Sequence, residues 1–103
     1  MALMQITIIP IGTSSTSVGD YVAGVQKLLA EKSFPYELGD MGTLVYGSAR
    51  DLLTLASEIH ESPFLAGADR VVTNITIDDR RDVDRAIGDK RAVVMARLDR
   101  ESE

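Results

Sequence analysis

Three short stretches of this sequence carry side chains able to act on a small molecule. In Pro10-Ile11-Gly12-Thr13-Ser14-Ser15-Thr16, an apolar strand pattern opens onto small hydroxyl residues just ahead of a helix pattern. Backbone N–H groups in such a loop can bind an anion at the helix start, or the loop can simply cap the helix. Neither G-x-x-x-x-G-K-[ST] nor G-x-G-x-x-G is present, so phosphate-loop chemistry has no motif here. The second stretch, Met41-Gly42-Thr43-Leu44-Val45-Tyr46, offers a thioether, a hydroxyl and an aromatic ring. Such groups wall and orient flat ligands, and they serve equally well in a core. The third runs from Asn74 to Asp82 with an amide followed by alternating charges. Asp78 at a sheet edge could accept from an amine or a protonated heterocycle, and Arg80 would share its face if the strand continued. The plainer reading is a solvated strand end whose ion pairs contribute roughly 0–1 kcal/mol each.

Other chemistries are excluded by what the sequence lacks. It has no cysteine, which removes disulfides, thiolate nucleophiles and thiolate metal sites together. Its single histidine, His60, has Phe64 where a zinc-protease helix needs a second histidine, and no metal site is expected. His60 reads instead as a helix-end residue facing the last carbonyls. Net charge is −5 over 103 residues, and nucleic-acid binding needs concentrated Lys and Arg, so no nucleic-acid partner is expected. No apolar run approaches the roughly 20 residues that cross a bilayer. The start lacks a basic leader, and the expected location is the cytoplasm.

The elements that must position these groups follow from periodicity. Residues 4–11 alternate as a strand, with Ile6 and Ile8 on one side and Gln5, Thr7, Ile9 and Ile11 on the other. Ser17 and Asp20 cap a helix whose stripe is Val18, Tyr21, Val22, Val25, Leu28 and Leu29, ended by Pro35. Two short strands joined at Gly39-Asp40-Met41-Gly42 form a hairpin. Ser48 and Asp51 cap a second helix that buries Leu52, Leu53, Leu55, Ala56 and Ile59 and closes at Pro63. Residues 70–79 form a strand, with Val71, Thr73, Ile75 and Ile77 opposite Val72, Asn74, Thr76 and Asp78. Val83, Ile87, Val94 and Leu98 then recur at helical spacing, although Ala92–Leu98 also suits a strand. The order is that of a single α+β domain over 1–103, a ferredoxin-like βαββαβ sandwich with both helices on one face of a four-stranded antiparallel sheet, plus a C-terminal helix. Its other face, with Thr7, Ile9, Ile11, Asn74, Thr76 and Asp78, stays uncovered and is expected to pack on a second copy. An RNA-recognition sheet would display aromatics there, and none is placed.

Taken together, ITIIPIGT with SV and YV, DMGTLVYG, IHE, RVVTNITIDDR and DKRAVV resemble the small bacterial and archaeal thiamine-binding proteins along nearly the whole chain. The resemblance implies a ferredoxin-like fold, assembly as a homotetramer built as a dimer of dimers, and binding of thiamine or its hydroxymethylpyrimidine half without a reaction or a cofactor. Carried over, it sets Gly12 and Thr13 beside Met41, Gly42 and Thr43 as a pocket floor. Thr13 and Thr43 would bond the aminopyrimidine, Asp78 would favour a cation, and Tyr46 and Asn74 would complete the lining. Members of the family this chain resembles commonly carry Glu at the place of Tyr46 and usually Lys at that of Asp79, which implies that one acceptor is replaced here by an aromatic ring. Two rivals differ in class. One is a regulatory module that docks a partner protein through the open face. The other is an acylphosphatase-like hydrolase using Arg70 and Asn74, whose anion-binding loop would lack its arginine here.

Overall fold

Strand β1 (Ala2–Ile11) is the spine of the molecule, because its alternation gives it two different faces. In this computed structural model, which describes residues 1–12, 19–82 and 88–101, Ala2, Met4 and Ile6 are buried while Gln5 and Ile9 are exposed. Strands β2 (Tyr36–Gly39), β3 (Gly42–Gly47) and β4 (Arg70–Asp79) complete one sheet in the order β2-β3-β1-β4. Every adjacent pair is antiparallel, with Ile6 opposite Thr43 on one side and Ile75 on the other. Helices α1 (Gly19–Ala30) and α2 (Ala49–Leu65) supply Val25, Leu29, Leu52, Leu55, Ala56 and Ile59 to the core above Met4, Ile6 and Val45. Fully burying a side chain such as Leu29, Leu52 or Ile59 stabilises the fold by roughly 1.5–3 kcal/mol. The ferredoxin-like α+β sandwich expected from the sequence is the one observed.

The capping signal at Ser48 holds, and the two prolines do not set the helix ends. Ser48 caps α2, its hydroxyl accepting from the Asp51 N–H at 3.2 Å. Ser17 and Val18 lie outside the described residues, as do Val83 and Ile87. α1 stops at Ala30, not at Pro35, because the Glu31 and Lys32 N–H groups turn back to Leu28 and Leu29 and tighten the last turn. Pro63 does not close α2 either. It lies inside the final turn, fully buried, where it removes one N–H but leaves the helix to run on to Leu65. The stop comes from Ala66 and Gly67: the Ala66 N–H reaches the carbonyls of Ser62 and Pro63, and Gly67 takes φ +103°. Leu53, expected in the core, is 55% exposed because it sits a third of a turn from the Leu52–Ala56–Ile59 stripe.

The C-terminal segment is helical, α3 (Asp89–Glu101), starting after Gly88 at φ +92°. None of its residues is buried, and Val93, Val94, Met95 and Leu98 are each about half exposed. The molecule is accordingly elongated, 53 × 30 × 21 Å.

Candidate functional site

Pairing β1 with a short hairpin and roofing one face with two helices leaves a gap where the hairpin turn passes under α1. That gap is a cleft of about 400 Å³, within the size range of small-ligand sites. Ile6, Ile8, Val22, Val25 and Ile59 give it apolar walls, and the turn from Leu38 to Thr43 closes one end. Two polar side chains face each other inside it: the Gln26 amide donates from Nε2 to Thr43 Oγ1 at 3.2 Å. Thr43 is 5% exposed, the one buried polar residue among those described. Its depth follows from register, since Thr43 lies opposite Ile6 and so points toward the helices.

The turn itself is strapped down from the other side of the sheet. Gln5 Nε2 and Thr7 Oγ1 both donate to the Met41 carbonyl, at 3.3 and 3.2 Å. This leaves no room at Gly42, where a Cβ would sit 2.7 Å from Thr7 Oγ1, and φ is +147°. Held in this way, the turn presents the Met41 side chain at the cleft mouth, 82% exposed.

A second cleft, about 520 Å³, lies on the open face. Leu3, Gln5, Leu44, Thr76 and Asp78 form its floor, and Lys90 and Arg91 at the start of α3 overhang it. Lys90 Nζ donates to Asp78 at 2.9 Å, so the carboxylate expected to meet a ligand cation is met by the chain's own lysine. Beyond it Arg80 forks onto both oxygens of Asp82, and Arg81 bonds Asp79. The hydrogen bond from Arg81 holds the Asp79 carboxyl below its ordinary range, and the same bond raises the guanidinium. The strand ends at Asp79, so its alternation does not extend to Arg80.

The residues singled out from the sequence are therefore divided, not gathered. Met41 and Thr43 line the helix-side cleft, and Asp78 lines the other. Ile6 bridges Thr43 to Ile75 across the sheet, and Asp78 stands three residues beyond Ile75, so alternation sends it to the opposite face. Tyr46 and Asn74 also face the open side, half-buried and exposed, opposite Leu3 and Thr7. Gly12 follows the far end of β1, six residues past Ile6, which is roughly 20 Å of strand. One chain does not set it beside Met41 and Thr43, because β1 outruns the hairpin. Thr13 lies outside the described residues.

His60 corrects another expectation. α2 continues past it to Leu65, so it is an interior helix residue. Its Nδ1 lies 2.7 Å from Thr73 Oγ1, and its ring meets Phe64 edge-on at 5.4 Å, tying α2 to β4. Among the described residues no group of His, Asp and Glu could hold a metal ion, and no helix is long and apolar enough to cross a membrane. Sequence reasoning missed Gln26. The signal was present as a single polar residue within the inward stripe Val22, Val25, Leu29.

Comparison with known proteins places these features in a group. The profile of a family described as thiamine-binding protein matches residues 4–95. A Bacillus subtilis protein, UPF0045 protein YqgV, is 52% identical over 86 residues, covering 80% of this chain and 83% of its own length. The crystal structure of hypothetical protein MJ1052 from Methanocaldococcus jannaschii superposes with a TM-score of 0.79 at 30% identity, covering 90% of this chain and 94% of that one. A Thermotoga maritima structure, whose name assigns it provisionally to thiamine biosynthesis or salvage, shares the fold at TM-score 0.73 and 18% identity, covering 90% and 97%.

Proposed function

The chain belongs to the thiamine-binding protein family, and from that premise we propose that it is a non-enzymatic binder of a small aromatic heterocycle, thiamine or its hydroxymethylpyrimidine half, held in the helix-side cleft. The observation that carries this reading is the composition of that cleft: mainly apolar walls around a hydrogen-bonded polar pair, Gln26 and Thr43, with Thr7, Asp40 and the thioether of Met41 also in the lining. Flat rings gain from burial against Ile8, Val22 and Ile59 and from the polarizable sulfur of Met41. The polar pair supplies direction, which apolar walls cannot.

Assembly of copies and a cytoplasmic setting are parts of the same reading. Ile9 and Val72 on the open face and the half-exposed apolar residues of α3 support association with a second copy, as in a dimer of dimers. Calorimetric titration of the full chain with thiamine and with hydroxymethylpyrimidine tests the binding. Saturable heat at sub-millimolar to millimolar ligand is the expected result, and no heat at millimolar ligand removes the proposal. A molar mass of one chain at micromolar concentration removes the assembly.

A further inference from the structure

Gln26 occupies a position at which helix packing calls for an apolar side chain, between Val22 and Leu29 on the inward stripe of α1. A primary amide there has a desolvation cost unless its groups are bonded. A carboxamide carries two donors and an acceptor with two lone pairs. Among the described residues, that of Gln26 makes one hydrogen bond, to Thr43. Its Oε1 and one Nε2 hydrogen take no further partner among the described residues, a carboxamide is planar, and Gln26 lines the cleft. Thr43 uses its oxygen to accept and so keeps its own hydrogen to donate.

An adjacent acceptor and donor in one plane match a particular molecular edge: a ring nitrogen lone pair beside an exocyclic amino group. This is the pairing by which glutamine reads the edge of adenine. We infer that Gln26 is the specificity-determining residue of the helix-side cleft, selecting planar heterocycles with an aminopyrimidine edge, and that Thr43 is the positioning residue that holds its carboxamide in register. The inference rests on the cleft being the ligand site. It adds which half of thiamine enters: the aminopyrimidine has such an edge, and the thiazolium does not.

The test uses two probes, 4-amino-5-hydroxymethyl-2-methylpyrimidine and the same compound without its amino group, titrated by calorimetry into the full chain. Wild type is expected to prefer the amino compound by roughly tenfold to a hundredfold, the usual discrimination of a bidentate amide pair. In Gln26→Leu the preference should fall to within about threefold, with the amino compound losing more affinity than the des-amino compound, which gives up only its ring-nitrogen bond. A merely structural glutamine would weaken both compounds alike, and that outcome overturns the inference. So does a preference that survives in Gln26→Leu, although binding in the cleft would then stand. Should Gln26→Leu fail to fold by thermal melting, Thr43→Val carries the test. It is expected to lower the preference several-fold through a carboxamide left unheld, and an unchanged preference overturns the inference. If wild type binds neither compound, the reading of the cleft fails and this inference fails with it.

Discussion

The two faces of the sheet are built from the same four strands and differ in almost every physical respect. The helix side buries Met4, Ile6 and Val45 completely or nearly so and admits one polar pair. The open side alternates Leu3, Gln5, Thr7 and Ile9 on β1 with Asp78, Thr76, Asn74 and Val72 on β4, and it binds its charges to one another. A polar group on the first face is costly unless it has work to do, whereas on the second it is ordinary surface. This is why Thr43 and Gln26 carry more information about function than Asp78 does, although a carboxylate looked the better candidate in sequence.

The sharpest way to test that contrast is to delete the same kind of group on each side. Leu52→Ala removes a fully buried side chain, and a loss of about 2–5 kcal/mol is expected from urea denaturation. Val94→Ala on α3, 54% exposed, should change stability by less than about 0.5 kcal/mol, since alanine is also the better helix former. A loss above about 1 kcal/mol for Val94→Ala would mean that α3 is covered in solution, and the two faces would then differ less than one chain suggests.

The strap across the hairpin links the faces, and it ranks next. Gly42→Ala forces a side chain into φ +147° and to within 2.7 Å of the Thr7 hydroxyl. Backbone strain of this kind costs roughly 1–3 kcal/mol. The hydroxyl can swing aside, but it then gives up the Met41 carbonyl. A melting temperature lowered by several degrees together with weaker ligand binding is the expected pair of outcomes. Lowered stability with unchanged binding would show that the turn is not a wall of the site.

How much of this was legible in the sequence depends on whether the governing signal was local. Alternation along β1 and β4 assigned Thr7, Ile9, Asn74 and Asp78 to one face and Ile6, Ile8 and Ile77 to the other, because period two is a property of each strand alone. The hairpin and the Ser48 cap were readable for the same reason. The site was not, because it depends on how far strands extend past one another. Gly12 and Met41 sit at strand ends, but a ten-residue β1 against a six-residue β3 pulls those ends apart. Pro63 misled because one lost hydrogen bond in a last turn is less costly than losing its buried packing against the core.

The open face invites a smaller perturbation. The Lys90–Asp78 pair ties the start of α3 to the sheet, but both partners are substantially exposed, 72% and 45%. Lys90→Ala should therefore cost no more than about 1 kcal/mol, and less in high salt. The readout that separates a latch from a passive pair is hydrogen exchange. Faster exchange confined to residues 89–95, with the sheet unchanged, is the latch outcome, and no change anywhere marks a passive pair.

The smallest effect expected lies at the end of β4, where the sign of a pH dependence can be worked out. Arg81 donates twice to one oxygen of Asp79, at 2.8 and 3.1 Å, and this holds the carboxyl below its ordinary range. A depressed folded pKa means that the unfolded chain takes up the proton first as pH falls. The pair's contribution is thus complete above the unfolded carboxyl value of about 3.9 and is lost as pH drops through the lower folded value. Arg81 is 80% exposed, so water and salt screen most of the gain. Urea midpoints followed between pH 5 and pH 2.5 should converge for wild type and Asp79→Asn below about pH 4 at low ionic strength. In 1 M salt the two should coincide throughout. Parallel curves at low salt would instead mean that Arg81 is solvated in solution, and the charged end of β4 would then be surface in the same sense as the rest of the open face.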